Sequence, residues 1–149
     1  MENIFWNYRI EGFGFSAAIS ALGTFLTFLL GGWDKPLQFL LVLMFFDFIL
    51  GTLGALRNKI LDSKVMFWGG INKILVLMLV VLSVFIDYFL PVEEPCIRTA
   101  IIFFYCGREG LSLVENCGLL GMPVPPFIAQ FFRQLNDKEG EALNENKRN

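Results

Sequence analysis

Residues 13–33 read FGFSAAISALGTFLTFLLGGW, 21 positions without one charged side chain. A helix of that length rises roughly 30 Å at about 1.5 Å per residue, the thickness of the hydrocarbon core of a bilayer. The residues before it include Glu2, Arg9 and Glu11 in place of a basic run, and further apolar stretches follow. The segment therefore reads as a retained membrane span, not a cleaved leader.

Working outward, Trp33-Asp34-Lys35-Pro36 forms a tight polar turn, and Pro36 suits the first turn of a helix. Hydropathy predicts a second span over about 36–56 with one charge, Asp47, and a third over about 65–90 with Lys73 and Asp87 toward its ends. PVEEP at 91–95 breaks that helix. A fourth span over about 97–120 is interrupted by Arg108, Glu109 and Glu115. After the proline-rich turn near 122–126, Phe127, Ile128, Phe131, Phe132 and Leu135 share one helical face. That pattern fits a short helix lying at the membrane surface, or one packed on the bundle. The sequence from Asn136 onward is polar and predicts a frayed tail. The expected protein is all-α and polytopic, with about four transmembrane helices and a short C-terminal interfacial helix. Its parts would be a cytoplasmic segment at 1–12, a four-helix membrane domain at 13–125, and an amphipathic helix with a polar cytoplasmic tail at 126–149.

Composition agrees. Hydrophobic residues make up 55% of the 149 and charged residues 17%, too few polar groups to cover a soluble domain of this size. A mean hydropathy of +0.58 and 17 Phe residues point the same way. A net charge of -2 and the lack of any basic stripe exclude a nucleic-acid footprint. With no His, no GxSxG elbow and no CxxC, neither an enzyme, a metal site nor a cofactor is expected. Cys106 and Cys117 fall in apolar sequence and read as inert buried thiols; Cys96 falls in a loop.

Orientation follows from basic residues in the connections. Four spans with both termini cytoplasmic put Arg9, Arg57, Lys59, Lys64, Arg133, Lys138, Lys147 and Arg148 inside, and only Lys35 and Arg98 outside.

The intramembrane charges need shelter. A lone Asp, Lys or Arg at a helix centre costs roughly 2.5–3.5 kcal/mol, so each should face protein or water. Helical spacing puts Asp47 on a stripe with Gly51, Gly54 and Asn58; Gly69, Lys73, Val76, Val80, Ser83 and Asp87 line one side of the third span; Tyr105, Glu109, Ser112 and Asn116 share a face of the fourth. Depth matches Asp47 with Arg108 and Lys73 with Glu115, and both are expected as ion pairs. Asp87 is left near the outer interface, and Glu109 is left over. These groups fit a packing role, a water-lined path between copies, or an ion relay.

The order of these pieces is similar to a known group. Gly31-Gly32-Trp33-Asp34, Asp47-Phe48-Ile49-Leu50-Gly51, Ser63, Gly70-Ile71-Asn72-Lys73, Asp87, the run from Glu109-Gly110-Leu111-Ser112 to Glu115-Asn116, and Gly121-Met122-Pro123-Val124-Pro125 follow one another across most of the chain. In this the sequence resembles the phage lysis and toxin-secretion holins. The resemblance implies a homo-oligomer that collects in the bacterial cytoplasmic membrane and opens lesions. A cytosolic endolysin, or a toxin lacking a signal peptide, would leave through them as a passenger. Members of that group often carry a more basic tail; here Lys138, Lys147 and Arg148 alternate with Glu139, Glu141 and Glu145. The rival class is a small ion channel or proton-coupled transporter, which buried acids favour. No inverted repeat or selectivity-filter sequence supports it.

Overall fold

The computed structural model describes residues 2–60, 62–90 and 95–145, with the side chains of 14–136 among them. Five α-helices and no strand occur among these residues: α1 (Glu2–Leu29), α2 (Lys35–Arg57), α3 (Ser63–Phe89), α4 (Cys96–Leu119) and α5 (Pro126–Glu145). The chain forms two units, residues 1–33 and residues 34–149.

The first unit is the single helix α1 and the turn after it. The helix already includes residues 2–12, expected as a separate segment, and stops at Leu29, short of the predicted Trp33. Within its described side chains, Phe15, Leu22, Phe25 and Phe28 are all exposed.

In the second unit, local chemistry sets the helix boundaries. The Asp34 carboxylate accepts from Leu37 N–H at 3.1 Å and starts α2 ahead of Pro36, satisfying one of the orphan N–H groups at the helix start. Asp62 does the same for α3 through Lys64 N–H at 2.8 Å. α4 begins after Pro95, whose side chain cannot cap. Asp87 from the end of α3 takes over, accepting from Ile97 N–H at 2.9 Å and Arg98 N–H at 2.7 Å. Its negative charge thus lies at the positive end of α4, an assignment the sequence reading missed. Gly121, at φ 77°, closes α4 with Met122 N–H bonded to the Cys117 carbonyl at 2.9 Å, a left-handed step that suits glycine.

Contacts fix the directions of the helices. Asp34 meets Arg98, Asp47 meets Asn116, and Arg57 reaches the Leu119 carbonyl, so α2 and α4 run parallel and level with each other. Asp47 meets Lys73, and Asp87 meets Ile97, so α3 runs antiparallel to both. Leu37, Leu40, Leu43, Val76, Val80 and Ile102 form the small apolar core.

Two of the described helices, α2 and α3, are long and apolar enough to cross a membrane, where four spans were expected. In α1 the described side chains, Gly14–Leu29, make up a shorter apolar stretch. α4 fails on composition, because Arg98, Arg108, Glu109 and Glu115 dilute its apolar residues. Only 22% of the apolar window of α2 and 17% of that of α3 are buried, whereas the core helix of a soluble protein is mostly buried. Phe45, Phe46, Leu53, Ile74, Met78 and Leu82 stand exposed. Such a surface is stable in lipid and not in water.

The C-terminal helix corrects a further expectation. It does not stop near Leu135 but continues to Glu145, and it folds back antiparallel to α4. Phe132 is 6% exposed and rests on Gly110; Leu135 and Asn136 rest on Gly107. The Phe132 ring also stacks on Phe39 of α2, with centroids 6.4 Å apart. Of the predicted apolar face, Phe127 and Phe131 remain outside this contact, exposed. The last four residues, and positions 91–94 of the predicted PVEEP break, lie outside the described residues.

Candidate functional site

α2, α3 and α4 each deliver polar side chains to one place between them. Lys73 Nζ donates to Asp47 Oδ2 at 2.8 Å and also to Glu109 Oε2. Asn116 Nδ2 donates to the other oxygen of Asp47 at 2.9 Å. The side chains of Lys73, Asp47 and Glu109 are only 17%, 14% and 11% exposed. Asp47 falls near the middle of α2 and Glu109 near the middle of α4, so the cluster sits at the mid-level of the bundle. The expected pairs Asp47–Arg108 and Lys73–Glu115 are not formed. Helical phase is the reason: Glu109 and Asn116 take the inward positions, while Glu115 is exposed and Arg108, also exposed, borders the space beside the cluster.

The other predicted residues divide. Gly51 passes close to Asn116, whose Nδ2 lies 3.4 Å from where a Cβ would stand, so the small-residue stripe on α2 does admit a neighbour there. Gly54 is buried, but no atom lies within 4 Å of its would-be Cβ. Ser112 is half-buried and lines a cavity of about 520 Å3 beside the cluster, together with Thr52, Asn72, Tyr105 and Arg108. Asp87 caps α4, outside the cluster. Cys106 is buried, Cys117 half-buried and Cys96 exposed. Among the described residues no group of three or more Cys, Asp or Glu side chains is placed to hold a metal ion.

Two carboxylates share one ammonium, so the fully ionised cluster carries one net negative charge. Such a group is costly in lipid and stable only while its hydrogen bonds hold or water enters. It offers no nucleophile with an adjacent base. Its chemistry is pairing, hydration and re-pairing.

At the end of the bundle near the α3–α4 turn lies a second ion pair, one the sequence reading did not foresee. Arg98 grips Asp34 with both terminal nitrogens, at 2.6 and 3.2 Å. The Arg98 hydrogen bond holds the Asp34 carboxyl below its usual range. A lowered folded value contributes stability above the unfolded pKa and loses it as pH falls through the folded one. Asp34→Asn keeps a capping side chain but loses the charge. In detergent, wild type should therefore melt higher than this variant near neutral pH, and the gap should close below about pH 4. A gap that persists in acid would assign the difference to another cause.

The family model described as the bacteriophage holin family matches residues 24–137. This chain belongs to the bacteriophage holin family. Among its relatives, an uncharacterized 14.9 kDa protein of Clostridium perfringens is 38% identical over 139 residues, covering 93% of this chain and all of that protein. A probable holin of Bacillus phage phi105 is 32% identical over 113 residues, 74% of this chain and 83% of the phage protein. No solved structure matches. Holins are not a family of enzymes, and a membrane location follows from the family together with the apolar α2 and α3. In this chain the family match takes in every residue of the polar cluster and the α4–α5 contact.

Proposed function

We propose that this holin-family chain oligomerises in the bacterial cytoplasmic membrane and opens lesions through which a cytosolic cell-wall hydrolase, or a toxin without a signal peptide, leaves the cell. The observation that carries the reading is the Asp47–Lys73–Glu109–Asn116 cluster, enclosed at mid-level between helices whose outer surfaces suit lipid. Within one copy these groups satisfy each other. In a crowded membrane the same groups gain alternative partners and water, so an opening between copies need not strand a bare charge.

α4 crosses the membrane on this reading despite its charges. It is tied level with α2 at Asp34–Arg98, at Asp47–Asn116 and at Arg57–Leu119, so a bilayer crossed by α2 is also crossed by α4. Arg98 and Glu109 spend their charge on partners inside the bundle. The uncharged run 13–33 is long enough for a fourth crossing, and with it the basic residues favour both termini cytoplasmic.

The test is induced expression in a bacterium, alone and with a cytosolic cell-wall hydrolase. The membrane potential should collapse abruptly after a delay, and the hydrolase should then reach the wall and lyse the cells. A gradual loss of potential with no escape of the hydrolase would instead indicate a small ion channel.

A further inference from the structure

The exposed surface of the second unit has two characters. α2 and α3 present rings and aliphatic chains: Phe45, Phe46, Met78, Leu82 and Phe85 are between 48% and 62% exposed. α4 and α5 present charge and amide as well, beside the exposed rings of Phe103, Phe127 and Phe131. Arg108, at the edge of the cavity beside the polar cluster, and Glu115 stand two turns apart on α4, exposed, with no ion-pair partner among the described residues. On α5, Ile128, Ala129, Phe132, Leu135 and Asn136 turn toward α4, and Gln130, Arg133 and Gln134 are exposed away from it.

Depth makes this arrangement informative. Phe132 lies on Gly110 and Leu135 on Gly107, about 13–18 Å along α4 from Leu119 at 1.5 Å per residue. That part of α4 also holds Glu109, joined to Lys73 in the middle of the bundle. Arg133 is therefore held level with the apolar middle of α2 and α3, and so is Arg108. Against acyl chains, an unpaired arginine at that level is strongly unfavourable. The helix also runs on through residues 137–141, whose sequence is DKEGE.

From this sidedness we infer that the α4–α5 face is the water-facing wall of the lesion, with Arg108, Glu115, Arg133 and Gln134 turned to the opening, and that α2 and α3 are its lipid-facing back. The assignment rests on the lesion-forming reading above and names the surface that does it.

Single-cysteine variants of the full chain test it, built on a parent with Cys96, Cys106 and Cys117 replaced by serine or alanine. Arg108→Cys, Glu115→Cys and Gln134→Cys sample the proposed wall; Phe46→Cys and Leu82→Cys sample the back. A membrane-impermeant cationic methanethiosulfonate is added to expressing cells before and after the potential collapses. After collapse the wall positions should react at least about tenfold faster than the back, since the thiolate is the reactive form and a thiol in hydrocarbon stays protonated. Where one variant fails to insert, Leu111→Cys on α4 or Gln130→Cys on α5 reads the same surface. Equal rates at the two sets, faster reaction at Phe46 and Leu82, or protection of the wall while the potential collapses would overturn the assignment and leave the lesion reading standing. A wild-type chain that never collapses the potential would remove the lesion reading itself, and the wall with it.

Discussion

Replacing Lys73 with Met should lower the stability of the detergent-purified protein by about 3–5 kcal/mol, the usual cost of removing one partner from a buried charge pair. The substitution leaves Asp47 and Glu109 facing each other across the space the ammonium occupied, both largely enclosed. Asn116 still serves one oxygen of Asp47, but no cation remains in the cluster. The control decides the cause. Combining Lys73→Met with Asp47→Asn and Glu109→Gln keeps size and hydrogen-bonding capacity while removing both stranded charges, and should recover most of the loss. Thermal unfolding in detergent measures both. If the triple variant is no more stable than Lys73→Met alone, the harm comes from lost packing of the lysine stem, not from unpaired carboxylates. In cells, the single variant should insert poorly or collapse the potential early, because the cluster that closes the bundle is already broken.

Gly110→Ala should detach α5 from α4. An added Cβ would stand 2.1 Å from Phe132 Cδ1 and 2.2 Å from Cε1, far inside contact distance. The ring has little freedom to retreat, being 6% exposed and stacked on Phe39. Overpacking of this kind costs about 1–3 kcal/mol, enough to favour release of a helix that rests on one face. The expected signs are a lower melting temperature and faster proteolysis at the turn near residues 120–125. Phe132→Ala in the Gly110→Ala background removes the clash, so the double variant should be less destabilised than the sum of the two singles, with a coupling of about 0.5–3 kcal/mol. Additive effects would mean that the two residues do not meet in the membrane-embedded protein. Gly51→Ala is the contrast: its Cβ would meet Asn116 at ordinary distance and should be tolerated.

Much of the architecture was legible in the chain because helix formation and lipid solubility are local properties. Asp34 before Lys35-Pro36 marks a helix start by its own hydrogen bond, and the runs around Phe45 and Met78 are apolar whatever they pack against. The glycine-proline sequence from Gly121 to Pro126 ends one helix and begins the next through backbone geometry alone. The polar stripe residues Asp47, Lys73, Glu109 and Asn116 were also legible as inward-facing, since a periodicity of 3.6 puts them opposite the most apolar positions.

Which of those charges meet, and which helices lie side by side, came only from the tertiary structure. A difference of one residue turns a side chain by about 100° around a helix, so depth matching chose Arg108 and Glu115 where rotation selects Glu109 and Asn116. Asp87 capping α4, Arg98 closing on Asp34, and Phe132 entering the gap at Gly110 all join residues from separate elements. Hydropathy weighs each segment against lipid by itself. It has no means to register that α4 travels level with α2 and hides part of its charge there. The apolar stretches by themselves determined that the chain is a helical membrane protein; the rotation and register of its helices, set by mutual packing, decided where the polar groups go and which surface is left to face water.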